Sequence, residues 1–332
     1  MIRAISRPTT WAFLAGIPIA GFCFSMLAWS SFTLSFHHLV GYLSEFDTSS
    51  MEQQILATLR APRVYASLVI GANLAVAGVL MQGLTRNPLA SPSVLGINAG
   101  AACFMALASV GFGFFVDIPG VLVAALGGVL SGGLVMILGG FFSPRPHPLK
   151  LVLAGIAVNA LLIGVTRASV ILADDMAYSV IYWLSGTVAN IGWQQWHQLW
   201  PVSVLGLGLA MSIAKPLNLL ALGDDVATGL GLNLSRTRIL ACVAIVLLTA
   251  SSVAVAGPIG FVGLLIPHIA RKLVGSNFLL LIPASALCGA ALLVWADGFS
   301  RAISFPSETP VGVITALLGT PCFILLAVRS KL

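Results

Sequence analysis

The sequence predicts an all-α polytopic membrane protein with about ten transmembrane helices. Apolar residues occupy 58% of the 332 positions, charged residues occupy 8%, and the mean hydropathy is +1.04. Ordinary soluble chains carry about 25% charged residues, so this chain has too few charges to cover a surface in water. Apolar windows of about 20 residues recur along its length, and a helix of that length crosses a bilayer.

The apolar windows divide the chain into ten predicted spans joined by short connections. The windows are 10–36, 64–84, 95–116, 118–142, 151–173, 201–222, 237–256, 257–275, 277–299 and 310–328. The first window is too long for a signal-peptide core, so we expect it to be a retained span. The eighth follows the seventh across only Gly257–Pro258. Because no long hydrophilic stretch interrupts the pattern, residues 1–332 are expected to form a single membrane domain.

The basic residues predict that both chain termini lie in the cytoplasm. With ten spans and the N-terminus inside, the cytoplasmic segments hold Arg3, Arg7, Arg86, Arg145, Lys150, Lys215, Arg236, Arg238, Arg271, Lys272, Arg329 and Lys331. The outer side holds Arg60, Arg63 and Arg301, with Arg167 within or near the outer half of the fifth span. Basic residues favour cytoplasmic loops. This orientation rule explains the net charge of +6 without a nucleic-acid partner.

Sequence motifs for catalysis and for nucleotide binding are missing from the chain. None of the four lysines follows a glycine, so there is no phosphate-binding GxxxxGK[ST] loop. GxSxG, HExxH and paired-carboxylate motifs are also missing, and the five cysteines fall in apolar stretches without metal-ligand spacing. We therefore expect a protein that is not an enzyme, binds no metal or cofactor, and has cysteines that act as small buried apolar residues.

The longest polar connection on the predicted inner side is segment 222–238, between spans six and seven. Asp224 can cap a short helix that Gly229 and Gly231 would end, and Asn233 or Ser235 can cap the seventh span. A short helix between two spans is suited to receive a movement from a soluble motor protein. The alternative is an ordinary solvated loop.

A polar stripe marks the fifth span. Gly155, Asn159 and Thr166 share one helical face, because seven residues make nearly two turns, and Arg167 lies about 80° around the helix from Asn159. Polar residues inside a membrane usually face a bundle interior or water, so Asn159, Thr166 and Arg167 are candidates for a translocation path. The alternatives are a hydrogen-bonded helix seam and an arginine that extends to the outer interface.

Several ordered stretches resemble the FecCD/BtuC family, the permease subunits of ATP-driven importers for iron chelates and cobalamin. They are LRAPR (59–63), GANLAVAGVLMQGLTRNPLASPSVLGINAGA (71–101), LAGIAVNA (153–160), YWLSG (182–186), GDDVATGLGLN (223–233), GPIGFVGLLIPHIAR (257–271) and TPVGVITALLGTPCFILL (309–326). Together they cover nearly the whole chain. Within the family, the Thr166–Arg167 pair and the run 174–186 most resemble ferric-citrate permeases.

The resemblance implies a BtuC-like fold and an importer of the bacterial cytoplasmic membrane. The expected partners are two cytoplasmic ATPase subunits that carry ATP and Mg²⁺, a second permease subunit, and a soluble substrate-binding protein. The second permease is expected to be a related chain, with a homodimer as the alternative. The cargo is expected to be an iron chelate, ferric citrate or another ferric siderophore, with cobalamin or haem as same-family alternatives.

The resemblance also implies roles for two sets of residues. Contact with the ATPase falls on Asp224, Asp225, Val226, Ala227, Leu230 and Gly231. Docking of the binding protein falls on Arg60, Arg63 and Arg301, where the planar guanidinium suits a carboxylate. The alternative for these arginines is pairing with lipid phosphates or with acidic residues of this chain, Glu308 among them.

A transporter of another class is the main alternative function. An ion-coupled secondary transporter would carry intramembrane acids as ion sites, and here only Asp297 lies near a span. A passive channel would offer no role for segment 222–238. Uptake driven by ATP, and not by an ion gradient alone, would separate these possibilities.

Overall fold

The computed structural model describes residues 8–30, 32–115, 117–141, 148–173 and 177–329. Several residues used in the sequence argument lie outside these ranges, namely Arg3, Arg7, Arg145, Lys331 and the stretch 174–176. Throughout the described ranges the regular structure is helical, which confirms the predicted all-α class.

The helices follow one another with short connections. They are α1 Pro8–Leu27, α2 Phe36–Ser44, α3 Met51–Ile55, α4 Ala61–Thr85, α5 Ile97–Ser109, α6 Gly120–Leu138, α7 Pro148–Leu172, α8 Ala177–Leu184, α9 Trp193–Ser212, α10 Ala214–Leu220, α11 Asp224–Gly229, α12 Leu234–Ala256, α13 Val262–Val274, α14 Phe278–Ile303 and α15 Val311–Arg329. A π-helical turn, Leu56–Arg60, joins α3 to α4, so Met51–Thr85 is continuous.

Within the described ranges, six helical segments are long and apolar enough to cross a membrane. They are α1, Met51–Thr85, α6, Leu149–Leu172, α12 and α14. The bent pair α9–α10, with an angle of 47° between its helices, gives a seventh if it counts as one span. The remaining predicted windows hold α5, α13 and α15. At 1.5 Å per residue, the 13 residues of α5 extend about 20 Å, less than a hydrocarbon core of about 30 Å. The count of ten spans therefore stays a prediction.

The most buried of the six membrane-crossing segments is the one that contains α4. In its apolar window 78% of the residues are buried, and α4 packs against α9, α12, α13 and α14. Two glycine pairs allow its backbone to approach its neighbours closely. A Cβ atom at Gly71 would collide with the carbonyl of Gly289 in α14, and one at Gly78 would collide with that of Gly263 in α13. Small residues at such crossings are typical of membrane helix packing.

Backbone hydrogen bonds tie three helix ends together at the predicted outer side. The amide of Thr187 donates to the Ala256 carbonyl at 2.7 Å, and the amide of Gly312 donates to the Gly186 carbonyl at 2.9 Å. Gly186 has φ +74° and faces the carbonyl of Pro258 so closely that a Cβ atom would not fit. The connections that follow α8 and α12 therefore pack against the start of α15.

The cysteines only partly match their predicted burial. Cys103 and Cys242 are buried, Cys23 and Cys288 are partly buried, and Cys322 is exposed on α15. The expectation of burial is therefore wrong for Cys322, because no helix among the described residues covers the outward face of α15. That face is available to lipid or to another subunit.

Candidate functional site

Charged residues gather in two clusters at opposite ends of α4. The inner cluster is Arg86, Asp224 and Arg238, and the outer cluster is Arg63, Asp297, Arg301 and Glu308. Arg63 and Arg86 are 23 positions apart along α4 and its C-terminal cap, which corresponds to about 35 Å of helix. That separation suits the two faces of a bilayer about 30 Å thick.

The inner segment forms the short helix α11 and its flanking turns. Gly223, with φ +114°, precedes the helix, and Gly231, with φ +83°, follows it, as the sequence predicts for the end of the helix. The prediction that Asp224 caps α11 is wrong, because Asp224 is the first helical residue and its carboxylate lies on two arginines. Asn233 caps α12 by accepting a hydrogen bond from the Arg236 amide at 2.9 Å.

Three exposed apolar side chains lie in this segment, Val226 within α11 and Leu222 and Leu230 on either side of it. Leu222 is 60% exposed, Val226 is 51% exposed and Leu230 is 59% exposed, and they recur every four residues. We call this set the apolar ridge of α11. Exposed aliphatic side chains in a row at a polar connection are typical of a contact surface for another protein. The contact residues predicted from the sequence include Val226 and Leu230 but not Leu222, although Leu222 lies four residues before Val226.

The other predicted coupling residues divide between exposed and inward-facing positions. Asp225 and Gly231 are exposed, as a contact surface requires. Ala227 is fully buried and faces inward, which corrects its assignment as a contact residue. The carboxylate of Asp224 likewise binds residues of this chain.

Asp224 joins α11 to two other helices through its carboxylate. Nη2 of Arg238, in the first turns of α12, lies 2.6 Å from Oδ2 of Asp224, and Nη2 of Arg86, the C-cap of α4, donates to Oδ1. Partial burial disfavours ionisation of Asp224, but the two arginines outweigh it and lower the pKa of its carboxyl below the ordinary value. From the sequence, Arg86 and Arg238 indicate only the orientation of the chain in the membrane, and their pairing with Asp224 is not predicted.

The outer cluster centres on a fully buried acid. Nε of Arg63 lies 2.7 Å from Oδ1 of Asp297, and Nη2 of Arg301 lies 3.1 Å from Oδ2. Ser25 of α1 donates to Oδ2 at 2.5 Å, and Nη1 of Arg63 also binds the carboxylate of Glu308 at 2.7 Å. A buried carboxylate requires such partners to stay charged.

This arrangement corrects the expectation of three outward-facing docking arginines. Arg63 and Arg301 are buried, and their guanidinium groups bind acids of this chain. The alternative of pairing with Glu308 therefore holds for Arg63. Arg60 is half-buried, and its Nη2 donates to the Trp29 carbonyl at 3.0 Å.

A cavity of about 500 Å³ opens beside the outer cluster and is lined by all three arginines and Glu308. Nη1 of Arg60 and Nη1 of Arg301 are buried and lack a hydrogen-bond partner among the described residues. Unpaired buried donors are costly, and neither atom is open to solvent. Of the three arginines, Arg60 is the one without an ion pair to a described acid, so the cavity keeps one unbalanced positive charge.

The polar residues of the fifth span differ in burial. Thr166 is buried, and its hydroxyl donates to the Leu162 carbonyl within α7 at 2.8 Å. Gly155 packs so closely on the carbonyl of Val94 that a Cβ atom would collide with it. Thr166 therefore belongs to the helix-packing side, which corrects its assignment to the path. Asn159 is partly exposed and Arg167 is exposed.

An apolar helical bundle with six described segments long enough to cross a bilayer defines a multi-pass membrane protein. The sequence profile of the FecCD transport family matches residues 17–329. The chain belongs to the FecCD transport family, which confirms the resemblance carried by its motifs.

Curated relatives and a solved structure agree with this assignment. The chain is 45% identical over 290 residues to the Fe(3+)-citrate import system permease protein YfmD of Bacillus subtilis, covering 87% of this chain and 86% of the relative. It is 41% identical to the Fe(3+) dicitrate transport system permease protein FecC of Escherichia coli, covering 99% of each chain. A solved structure of a metal-chelate type ABC transporter in an inward-facing conformation superposes with a TM-score of 0.85 at 29% identity, covering 97% of this chain and 100% of that chain.

Proposed function

We propose that this chain is the membrane-spanning permease subunit of an ATP-driven importer that carries an iron chelate, ferric citrate foremost, across the bacterial cytoplasmic membrane. The observation that carries the proposal is the pairing of two surfaces on one bundle: the apolar ridge of α11 at one end and the arginine-lined cavity at the other. The names of the relatives with 45% and 41% identity support the choice of cargo.

Energy would come from a separate ATPase, since the sequence has no phosphate-binding loop of its own. We infer that the ridge residues Leu222, Val226 and Leu230 contact that ATPase. The three side chains are each more than half exposed, and burial of the exposed part of such a side chain contributes about 1–2 kcal/mol before the costs of association. ATP and Mg²⁺ would bind on the partner, and this chain would supply the path and the mechanical contact.

A soluble binding protein would deliver the chelate at the outer cavity. Arg60 is the docking residue best supported by the structure, because it is only half-buried, lines the cavity and has no ion pair with a described acid. Arg63 and Arg301 line the same cavity, but their charges are balanced by Asp297 and Glu308. An acidic side chain of the binding protein would accept hydrogen bonds there, and complementary charge would mainly speed the encounter.

The second permease subunit would cover the exposed side of α7. Only 22% of the apolar window of α7 is buried within this chain, and Arg167 is exposed on it. An arginine in a membrane helix normally faces water or a protein partner. We infer that Asn159 and Arg167 border the path between two permease subunits, where Arg167 would favour an anionic ferric chelate. A related chain is the proposed partner.

Asp297 weighs against the ion-coupled alternative. Its carboxylate is fully buried and is occupied by Arg63, Arg301 and Ser25. A coupling-ion site needs a carboxylate that gains and loses its cation during transport, whereas this one is neutralised by two arginines.

Purification of the intact complex from its native membrane tests the proposal. The expected composition is this chain, a second permease and two ATPase subunits, with radioactive iron retained when ferric citrate is supplied. A complex without an ATPase, or one that takes up substrate in response to an ion gradient alone, would contradict it.

A further inference from the structure

We propose that Asp224 is a positioning residue, which clamps α11 to the inner ends of α4 and α12 so that a movement of α11 reaches the core of the bundle. This inference rests on the proposed function, in which α11 receives a movement from an ATPase. It reassigns Asp224 from a contact with the ATPase to an internal link.

The clamp consists of two ion pairs on one carboxylate. Oδ2 of Asp224 accepts from Nη2 of Arg238 at 2.6 Å, and Oδ1 accepts from Nη2 of Arg86. Arg86 also donates from Nε and Nη2 to the carbonyl of Leu220, at 3.1 and 2.8 Å. One guanidinium therefore holds both the end of α10 and the start of α11.

Both arginines belong to helices of the core or to their caps. Arg86 caps α4, the helix of the segment whose apolar window is 78% buried, and its backbone is left-handed with φ +49°. That conformation directs the chain sharply away from the helix axis and is uncommon for a residue with a side chain. Arg238 is itself buried in α12, a helix that packs along α4. A displacement of Asp224 would therefore act on two adjacent helices of the core.

The rest of α11 is attached weakly to the bundle. Ala227 is its one buried residue, and the turns that follow are closed by local backbone hydrogen bonds such as Leu232 N to Ala227 O at 3.0 Å. Without the carboxylate of Asp224, a push on the apolar ridge could be absorbed by the flexible turns at Gly223 and Gly231.

Asp225 provides a matched control. It lies in the same helical turn and carries the same charge, but it is exposed and has no hydrogen bond or ion pair to any described residue. Asp224→Asn and Asp225→Asn change the net charge equally and keep the side-chain shape. Any difference between the two variants therefore reports the clamp.

The first measurement is hydrogen–deuterium exchange of segment 222–238 in the purified permease before the ATPase is added, so that a contact of Asp225 with the ATPase does not affect the control. Asp224→Asn is expected to speed exchange of the α11 amides by about fivefold, whereas Asp225→Asn leaves it unchanged. Asp224→Glu, which can still reach both arginines, is expected to restore protection. Equal exchange in the two asparagine variants would overturn the clamp, and this result does not depend on whether the complex transports anything.

The second measurement is the number of substrate molecules taken up per ATP hydrolysed. Asp224→Asn is expected to lower this ratio by about fivefold or more while the ATPase still co-purifies with the permease. Arg238→Gln should cause a smaller loss, because the pair between Asp224 and Arg86 remains, and the double variant should lose no more than Asp224→Asn alone, because that change already removes both pairs. Release of the ATPase by Asp224→Asn alone would overturn the proposal, since it would make Asp224 a docking contact. A wild-type complex with no ATP-driven uptake, but with the exchange difference present, would reject the proposed function and leave the clamp standing.

Discussion

Arg63 and Asp297 lie 234 positions apart in the chain and meet inside the bundle, with 2.7 Å between Nε and Oδ1. This pair joins α4 to α14, the two helices that also approach each other at Gly71 and Gly289. Because Arg301 and Ser25 complete the shell of Asp297, the outer ends of α1, α4 and α14 share one polar centre. The outer cavity is built on that centre.

Removal of the central charge is expected to destabilise the permease strongly. Asp297→Asn leaves Arg301 buried without its counter-ion and leaves Arg63 with Glu308 alone, and loss of one member of a buried ion pair costs about 3–5 kcal/mol. Thermal unfolding of the purified protein in detergent measures this loss. Glu308→Gln is the control, since Glu308 is a third exposed and its loss should cost less. Equal melting temperatures for both variants would contradict the central role of Asp297.

Arg60 is expected to control docking at the outer cavity. Arg60→Gln should weaken binding of the soluble binding protein by about tenfold and flatten the dependence of its association rate on salt, because one steering charge is lost. Surface plasmon resonance on the reconstituted complex measures both quantities. Lys215→Gln removes the same charge from an exposed residue at the inner side and should change neither one. An unaltered affinity for Arg60→Gln would reject this docking site.

The apolar ridge of α11 is expected to hold the ATPase. Val226→Asp places a charge where we expect a buried apolar contact, and it should weaken ATPase binding by about 2 kcal/mol, or about thirtyfold. Co-purification and titration of the two components measure this effect. Ser235→Asp adds the same charge at an exposed position nearby and serves as the control. If both variants retain the ATPase equally, the ridge is not the contact surface.

The path assignment predicts different thiol reactivity at three neighbouring positions of α7. In a background with exposed Cys322 replaced by serine, cysteine at 159 or 167 should react with a water-soluble reagent. Cysteine at 166 should react about tenfold more slowly, since Thr166 is buried. Substrate should slow labelling at 159 and 167. Fast labelling at 166 and protection at the other two positions would reverse the assigned faces.

Local features of the sequence were sufficient to predict the helical class and several turns. The apolar windows located the long helices, Asn233 was a candidate cap that proved correct, and Gly231 marked the end of α11. These features depend on residues close together in the chain, so periodicity and capping chemistry reveal them.

Contacts between distant segments could not be predicted in the same way. Nothing in the local sequence indicates that the carboxylate of Asp224 pairs with two arginines, or that Arg63 pairs with an acid far away in the chain. The orientation rule places a charge on one side of the membrane but gives no pairing, and the face of Thr166 depends on which helix lies beside α7. The docking arginines were therefore expected to be free, and two of them proved to be paired.

ATP-driven uptake of ferric citrate into proteoliposomes tests the central claim most directly. The complex of this chain with its permease partner and ATPase is reconstituted, and the loaded binding protein is added outside with ATP enclosed. We expect radioactive iron to accumulate only with ATP and binding protein together, and Val226→Asp to abolish accumulation. Accumulation driven by an ion gradient without ATP, or unaffected by Val226→Asp, would contradict the account.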